Sequence, residues 1–266
     1  MKKYILNNKA IFIYGIIFVF VLWFLASLAF DKNSIIIPSP IDTIKEMGHL
    51  LTLKSTYAHI GYSLLRLLIG FGISFVIAFI LGSLAGNNPH IYEFLKPLMS
   101  VFKTIPTASL VFLFIVLSGA KYAAIYVVIL ICLPILYEAV VGGIKSVEKD
   151  ILDASDMDGA GFFKSLIYIK IPLSIPYVLV GISASFALSF KIEIMAEIIS
   201  GYTGEGLGNA IRVIQNNDPT NMTPIFAISL IAILLMLIMS LVNQIIKKTL
   251  SNWLERVLSF ICSWIE

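Results

Sequence analysis

Residues 153–172 read Asp153-Ala154-Ser155-Asp156-Met157-Asp158-Gly159-Ala160-Gly161-Phe162-Phe163-Lys164-Ser165-Leu166-Ile167-Tyr168-Ile169-Lys170-Ile171-Pro172. This polar stretch separates two apolar runs, and its small residues, acids and spaced glycine do not suit a lipid-buried helix. The pattern predicts a short amphipathic helix, a sharp turn, and a second piece of helix that re-enters the membrane. An acid near the start of the short helix is favoured by the helix dipole. Gly159 and Gly161 supply the backbone freedom of the turn, and Pro172 fits the first turn of the helix that follows.

The surroundings of this loop set the class. The chain has 266 residues, 59% of them apolar and 13% charged, with a mean hydropathy of +0.95. A soluble domain of this length cannot hide so much apolar surface, whereas a bilayer can. About six stretches approach the roughly 20 apolar residues needed to cross a membrane. They run from about Ala10 to Phe30, Tyr62 to Leu84, Ile105 to Leu117, Tyr122 to Val141, Pro172 to Phe190 and Pro224 to Ile246. The third is short, and Pro134 marks an expected kink in the fourth. No small-residue cleavage site follows the first run, which therefore reads as a span and not a signal peptide. The expected fold is all-α and polytopic.

Lysine and arginine orient it. With the N-terminus inside, the cytoplasmic side receives Lys2, Lys3, Lys9, Lys96, Lys103, Lys145, Lys149, Lys164, Lys170, Lys247, Lys248 and Arg256. The far side receives Lys32, Lys45, Lys54, Lys121 and Arg212, with Arg66 and Lys191 near span ends. This positive-inside bias places both termini and the 153–172 loop in the cytoplasm of a multi-pass protein.

Several chemistries are excluded. Cys132 and Cys262 make no disulfide framework, and His49, His59 and His90 lack metal-ligand spacing, so no metal site is expected. A formal charge of +3 without a basic run gives no reason for nucleic acid. The glycines at 201, 204, 206 and 208 lack the Lys-Ser/Thr ending and the strand-to-helix context of a phosphate loop. They read instead as an extracytoplasmic or re-entrant turn in which backbone approaches backbone. With no nucleotide-binding loop and no catalytic triad, the chain reads as a non-enzyme.

The loop spacing resembles the cytoplasmic "EAA" loop of importer-type ABC permeases, with Asp153 for the usual Glu and Ser155 for the second Ala. Ile37-Pro38-Ser39-Pro40 resembles the Pro-Ser-Pro segment of permeases for sulfonates, nitrate and taurine. His59, Ser63-Leu64, Arg66, Gly70-Phe71 and Gly82 are similar to that subfamily's second-span pattern, and Ala196-Glu197 with Gly206-Leu207-Gly208 to its segment after the fifth span. The resemblance covers roughly residues 35 to 248 and implies the MetI-like fold. It implies a division into an N-terminal span (1–34), an extracytoplasmic segment (35–58), a permease core (59–248) and a tail (249–266). It also implies a homodimer with two ATP-binding subunits, an extracytoplasmic solute-binding protein and a bacterial plasma membrane location. ATP and Mg would be bound by the partner ATPase, with no cofactor on this chain. The loop residues Asp153, Ala154, Ser155, Met157, Gly159, Ile169, Ile171 and Pro172 would couple to that ATPase.

Two further patterns stand beside the resemblance. Arg66, Lys191, Glu193 and Glu197 are ionisable residues at or near membrane depth, where charges face protein or water. They are candidates for structural ion pairing or for the translocation path and its gate. In the tail, Trp253, Val257, Phe260, Ile261 and Trp264 share one helical face, as in an interfacial amphipathic helix. An ion-gradient-driven secondary transporter is the alternative function, but no inverted repeat is apparent.

Overall fold

The computed structural model describes residues 8–30, 36–157, 159 and 161–265, with only the backbone path for 8–10, 12, 156, 162, 163 and 250–265. The described residues are helical with connecting turns and contain no strand. The elements are α1 (Asn8–Ala29), α2 (Pro40–Leu50), α3 (Lys54–Asn87), α4 (Pro89–Thr104), α5 (Thr107–Ser118), α6 (Ala120–Lys145), α7 (Lys149–Met157) and α8 (Phe162–Ser165). A π-helical turn, Leu166–Lys170, leads into α9 (Ile171–Ser200), followed by α10 (Leu207–Asn217) and α11 (Thr223–Ile265).

Four helical stretches are long and apolar enough to cross a bilayer: Lys54–Asn87, Ala120–Lys145, Leu166–Ser200 and Thr223–Thr249. The number rises to five if α4 and α5 together make one broken span, and Ile13–Ala29 of α1 is a shorter apolar helix. The expected third span is thus corrected. Residues 107–118 form a helix of 12 residues, about 18 Å long, which cannot cross about 30 Å of hydrocarbon alone. It meets α4 at 99°. The bend falls at Ile105-Pro106, where the proline biases the preceding residue toward extended backbone, observed at φ −69°, ψ 127°. Pro134 lies inside α6, which continues to Lys145.

The core is a three-helix seam of α3, α6 and α9. Small residues of α3 recur every four positions at Gly70, Ser74, Ala78 and Gly82, giving one face that admits α6 closely. A Cβ built on Gly82 would stand 2.8 Å from Cβ of Val140, and one on Gly70 would stand 3.0 Å from the Ile125 carbonyl oxygen. On the other side of α6, a Cβ at Gly181 of α9 would collide with that of Ala139, and one at Gly143 would stand 2.9 Å from that of Ser174. Backbones this close leave no room for slippage between α6 and its two neighbours.

The Pro-Ser-Pro segment explains itself locally. The Pro38 carbonyl accepts the Trp23 indole N–H at 3.1 Å. The Ser39 hydroxyl accepts the Asp42 amide at 3.1 Å and donates to the Asp42 carboxylate at 2.6 Å, while Pro40 occupies the first turn of α2. This cap fixes α2, which packs against α11. The tail is helical, but its backbone continues α11 without a break through Ile265. The face expected from Trp253 to Trp264 concerns side chains outside the described residues, as do Lys2, Lys3 and Asp158.

Candidate functional site

Two places gather the residues singled out in the sequence. The first is the loop between α6 and α9. α7 carries Asp150 in its first turn, where the dipole favours it, and Asp153 one turn later, exposed. Ile151, Ala154 and Met157 are exposed as well, Met157 by 89%. Gly159 follows with φ +72°, in the left-handed region that side chains disfavour. The tip is therefore a short helix with an acid and an apolar edge, closed by a glycine whose left-handed backbone most side chains disfavour.

The remaining loop residues are not at the tip. Ser155 is buried, so its small side chain serves packing beneath α7, and its hydroxyl has no partner among the described residues. Ile169, Ile171 and Pro172 are half-buried at the base. There the Ile171 amide bonds back five residues to the Leu166 carbonyl, the π-turn spacing. Lys170 bonds Asn87 at the end of α3, which ties the returning chain to the core. On the same face, Lys103 pairs with Glu138, and the Lys145 ammonium lies 3.4 Å from the Tyr92 ring centroid.

The second place is a buried polar cluster near the opposite ends of α3 and α9. His59, Ser63 and Arg66 lie on one stripe of α3, spaced four and three residues apart. Glu197 of α9 accepts Arg66 Nη1 at 2.5 Å on Oε1, and the Ser63 hydroxyl and the Gly208 amide, each at 2.8 Å, on Oε2. Arg66 Nη1 also donates to the Glu205 carbonyl at 2.8 Å, and its guanidinium lies 5.4 Å from the Tyr202 ring centroid. Ser63 accepts the Leu207 amide at 2.8 Å, and His59 Nδ1 accepts the Gly206 amide at 3.0 Å. The 201–208 turn is thereby pinned onto α3 and α9. A side chain at Gly208 would run into the Ile194 carbonyl, so glycine is what allows this close approach.

This arrangement sorts the four membrane-depth charges. Arg66 and Glu197 form a buried ion pair through Nη1, which also donates to the Glu205 carbonyl, so the Arg66 charge is already engaged in this state. Glu193 lies one turn before Glu197, fully buried, with no partner for either oxygen among the described residues. Lys191 is exposed, away from the cluster. Glu193 and Glu197 share a helical face at i, i+4, a signal already present in the spacing. The convergence of positions 59, 63 and 66 on 197 and 206–208, across about 130 residues, had no local signal. Among the described residues, no group of His, Cys, Asp and Glu could hold a metal ion.

A small-residue core of long apolar helices, with a polar loop projecting from one end and a pinned turn at the other, defines an integral membrane transport subunit. The chain belongs to the family described as binding-protein-dependent transport system inner membrane component, matched over residues 74–252. It is 26% identical over 235 residues to a "Probable ABC transporter permease protein" of Brucella abortus (strain 2308), covering 88% of this chain and 91% of the relative. It is 28% identical over 181 residues to the nitrate import permease protein NrtB of Synechocystis sp. (strain PCC 6803), covering 64% and 66% respectively. In fold it is similar to a chain of the MetNI methionine ABC transporter solved in an inward facing conformation. That match has a TM-score of 0.64 and 16% identity, and it covers 76% of this chain and 97% of the other.

Proposed function

We propose that this chain is the permease subunit of an ATP-driven importer for a small solute of the sulfonate, taurine or nitrate kind. It would act as a two-fold homodimer with two ATP-binding subunits and an extracytoplasmic binding protein. ATP and Mg would reside on the ATPase, and both termini would be cytoplasmic. The observation that carries this reading is the exposed α7–Gly159 tip on a stiff base, within a chain of this family. α6 and α9 flank the tip and are locked at Gly143–Ser174 and Ala139–Gly181. A displacement of α7 by a closing ATPase therefore moves both helices together and does not dissipate between them. Ile169, Ile171 and Pro172 form the base of that lever, and Asp153, Ala154 and Met157 its contact edge.

At the other end, the Arg66–Glu197 pair and the 201–208 turn act as a latch on the outer gate. Glu193, one turn inward and unpartnered, is the second acid that Arg66 can reach when the turn lifts.

The test of coupling is substitution at Gly159, followed by mild-detergent purification and transport assay. No atom lies within 4 Å of a Cβ built there, so a side chain meets nothing inside the protomer. Gly159→Val strains the left-handed backbone, at about 1–2 kcal/mol, and should abolish transport with the protein still inserted in the membrane. Gly159→Asn tolerates that backbone but adds bulk. Loss of ATPase binding in both variants supports a narrow docking cleft. Full transport with Gly159→Val would refute the coupling role.

A further inference from the structure

The Gly206 amide is buried, and its one acceptor among the described residues is His59 Nδ1, at 3.0 Å. To accept, Nδ1 must carry no proton, so the neutral ring holds its hydrogen on Nε2. Turned over, the ring would set a C–H against the amide, so one orientation alone satisfies this donor. A second proton on the ring goes to Nδ1 and sets two N–H donors face to face. Protonation therefore breaks the tie and strands a buried donor.

The ring lies where protons can reach it, by measurement from both ends of α3. It precedes Tyr62, where the apolar run of that helix begins, by three residues. From Leu84 at the other end of the run, His59 is 25 residues away, about 37 Å, against about 30 Å of hydrocarbon. The half-buried ring lines a surface cavity of about 480 Å³, together with Leu50, Ser55, Thr203, Glu205 and Val213.

The surrounding charges leave the ring free to titrate. Glu205 is exposed and is the other titratable residue lining the cavity; its carboxylate favours a charged ring. Arg66, two turns along α3, opposes that charge but is bonded to Glu197 of α9. Arg212 of α10 donates to the Ile198 carbonyl, and Tyr202 lies against Arg66. On α2, Glu46 and His49 lie 3.9 Å from each other. Lys54 and Tyr62 of α3 are exposed, and α11 carries no titratable residue from Thr223 to Ile246.

Resting on the importer reading and its orientation, we infer that His59 is a proton-binding site open to the extracytoplasmic side, and that a proton there loosens the outer latch. The sign follows from linkage. The loosened turn binds one proton more than the pinned one, so acid favours the loosened state. Histidine changes charge between about pH 5 and pH 8, which sets the range of the response. The Leu207 and Gly208 amides and the Glu205 carbonyl keep their partners, so the turn is weakened and not released.

Amide hydrogen exchange tests this directly. The full chain, purified with its partner subunits and placed in lipid nanodiscs, is read by mass spectrometry on peptides spanning 202–210. Rates are corrected for the intrinsic pH dependence of exchange. Between about pH 8 and about pH 5, protection of the Gly206 amide in the parental chain should fall by about fivefold, the worth of one hydrogen bond. His59→Asn places a side-chain oxygen where Nδ1 stands and does not titrate, so protection should stay high at both pH values. His49 is untouched in that variant, which separates the two histidines. His59→Ala should be poorly protected at both, and peptides from α6 report whether each variant is folded. Protection that does not change with pH in the parental chain would overturn the inference. So would an equal fall in His59→Asn, or full protection in His59→Ala. The readout needs neither ATP nor solute, and the presence or absence of a co-purifying ATPase judges the importer reading separately.

Discussion

At Glu197 one carboxylate holds three segments together: α3 through Ser63 and Arg66, α10 through the Gly208 amide, and its own α9. A buried pair of this kind adds little net stability over well-packed apolar residues, but removing one partner strands a charge. Arg66→Met should therefore cost about 3–5 kcal/mol, lowering the melting temperature in detergent by on the order of 10 °C. The double variant Arg66→Met/Glu197→Met should recover part of that loss. Equal destabilisation in the single and double variants would mean that the pair is not electrostatically coupled. Glu193→Gln breaks no hydrogen bond with the described residues, so it should melt at or above the parental temperature and slow transport if Arg66 uses it during opening. The i, i+4 spacing of the two acids was legible in the chain. Which of them Arg66 chooses was not, because the choice depends on the 201–208 turn folding back to supply amide donors.

Among the elements, α3 shows how one residue type serves opposite ends. Gly82 is pressed against α6, where a Cβ would stand 2.8 Å from Val140 Cβ, whereas a Cβ on Gly72 meets nothing within 4 Å. The same substitution should therefore have opposite signs ten residues apart on one helix. Gly82→Ala should destabilise by about 1–3 kcal/mol through overpacking, and Gly72→Ala should stabilise by up to about 1 kcal/mol through helix propensity. Thermal melting of both in the same detergent checks the pair, and matching signs would contradict the packing. The helices themselves were readable from hydropathy, since a bilayer demands apolar length and little else. α4 and α5 were not, because an apolar run carries no direction. The 99° bend at Ile105-Pro106 turns a candidate span into a broken one. The proline announced a boundary there, but no local pattern states the angle across it.

For the whole molecule, the proposed orientation requires that α7 be reachable from the cytoplasm alone. The excess of lysine on one side argues for this through the positive-inside bias, and the exposure of Met157 makes it measurable. Met157 is 89% exposed on the protomer and stands at the contact edge proposed for the ATPase. A cysteine placed there should react with a membrane-impermeant maleimide in inside-out vesicles and not in intact cells. Cys132 is buried in α6, so replacing Cys262 removes the other native thiol that could compete. Two outcomes then separate topology from docking. Labelling from the outside would invert the orientation and remove α7 from any intracellular partner. Labelling from the inside at a rate unchanged by the ATPase would keep the orientation but put the docking surface elsewhere. The result expected is inside labelling that falls at least several-fold when the ATPase is bound. Burial in the partner's cleft would shield position 157, while under the proposed coupling the α6–α9 base beneath it would carry the load into the membrane.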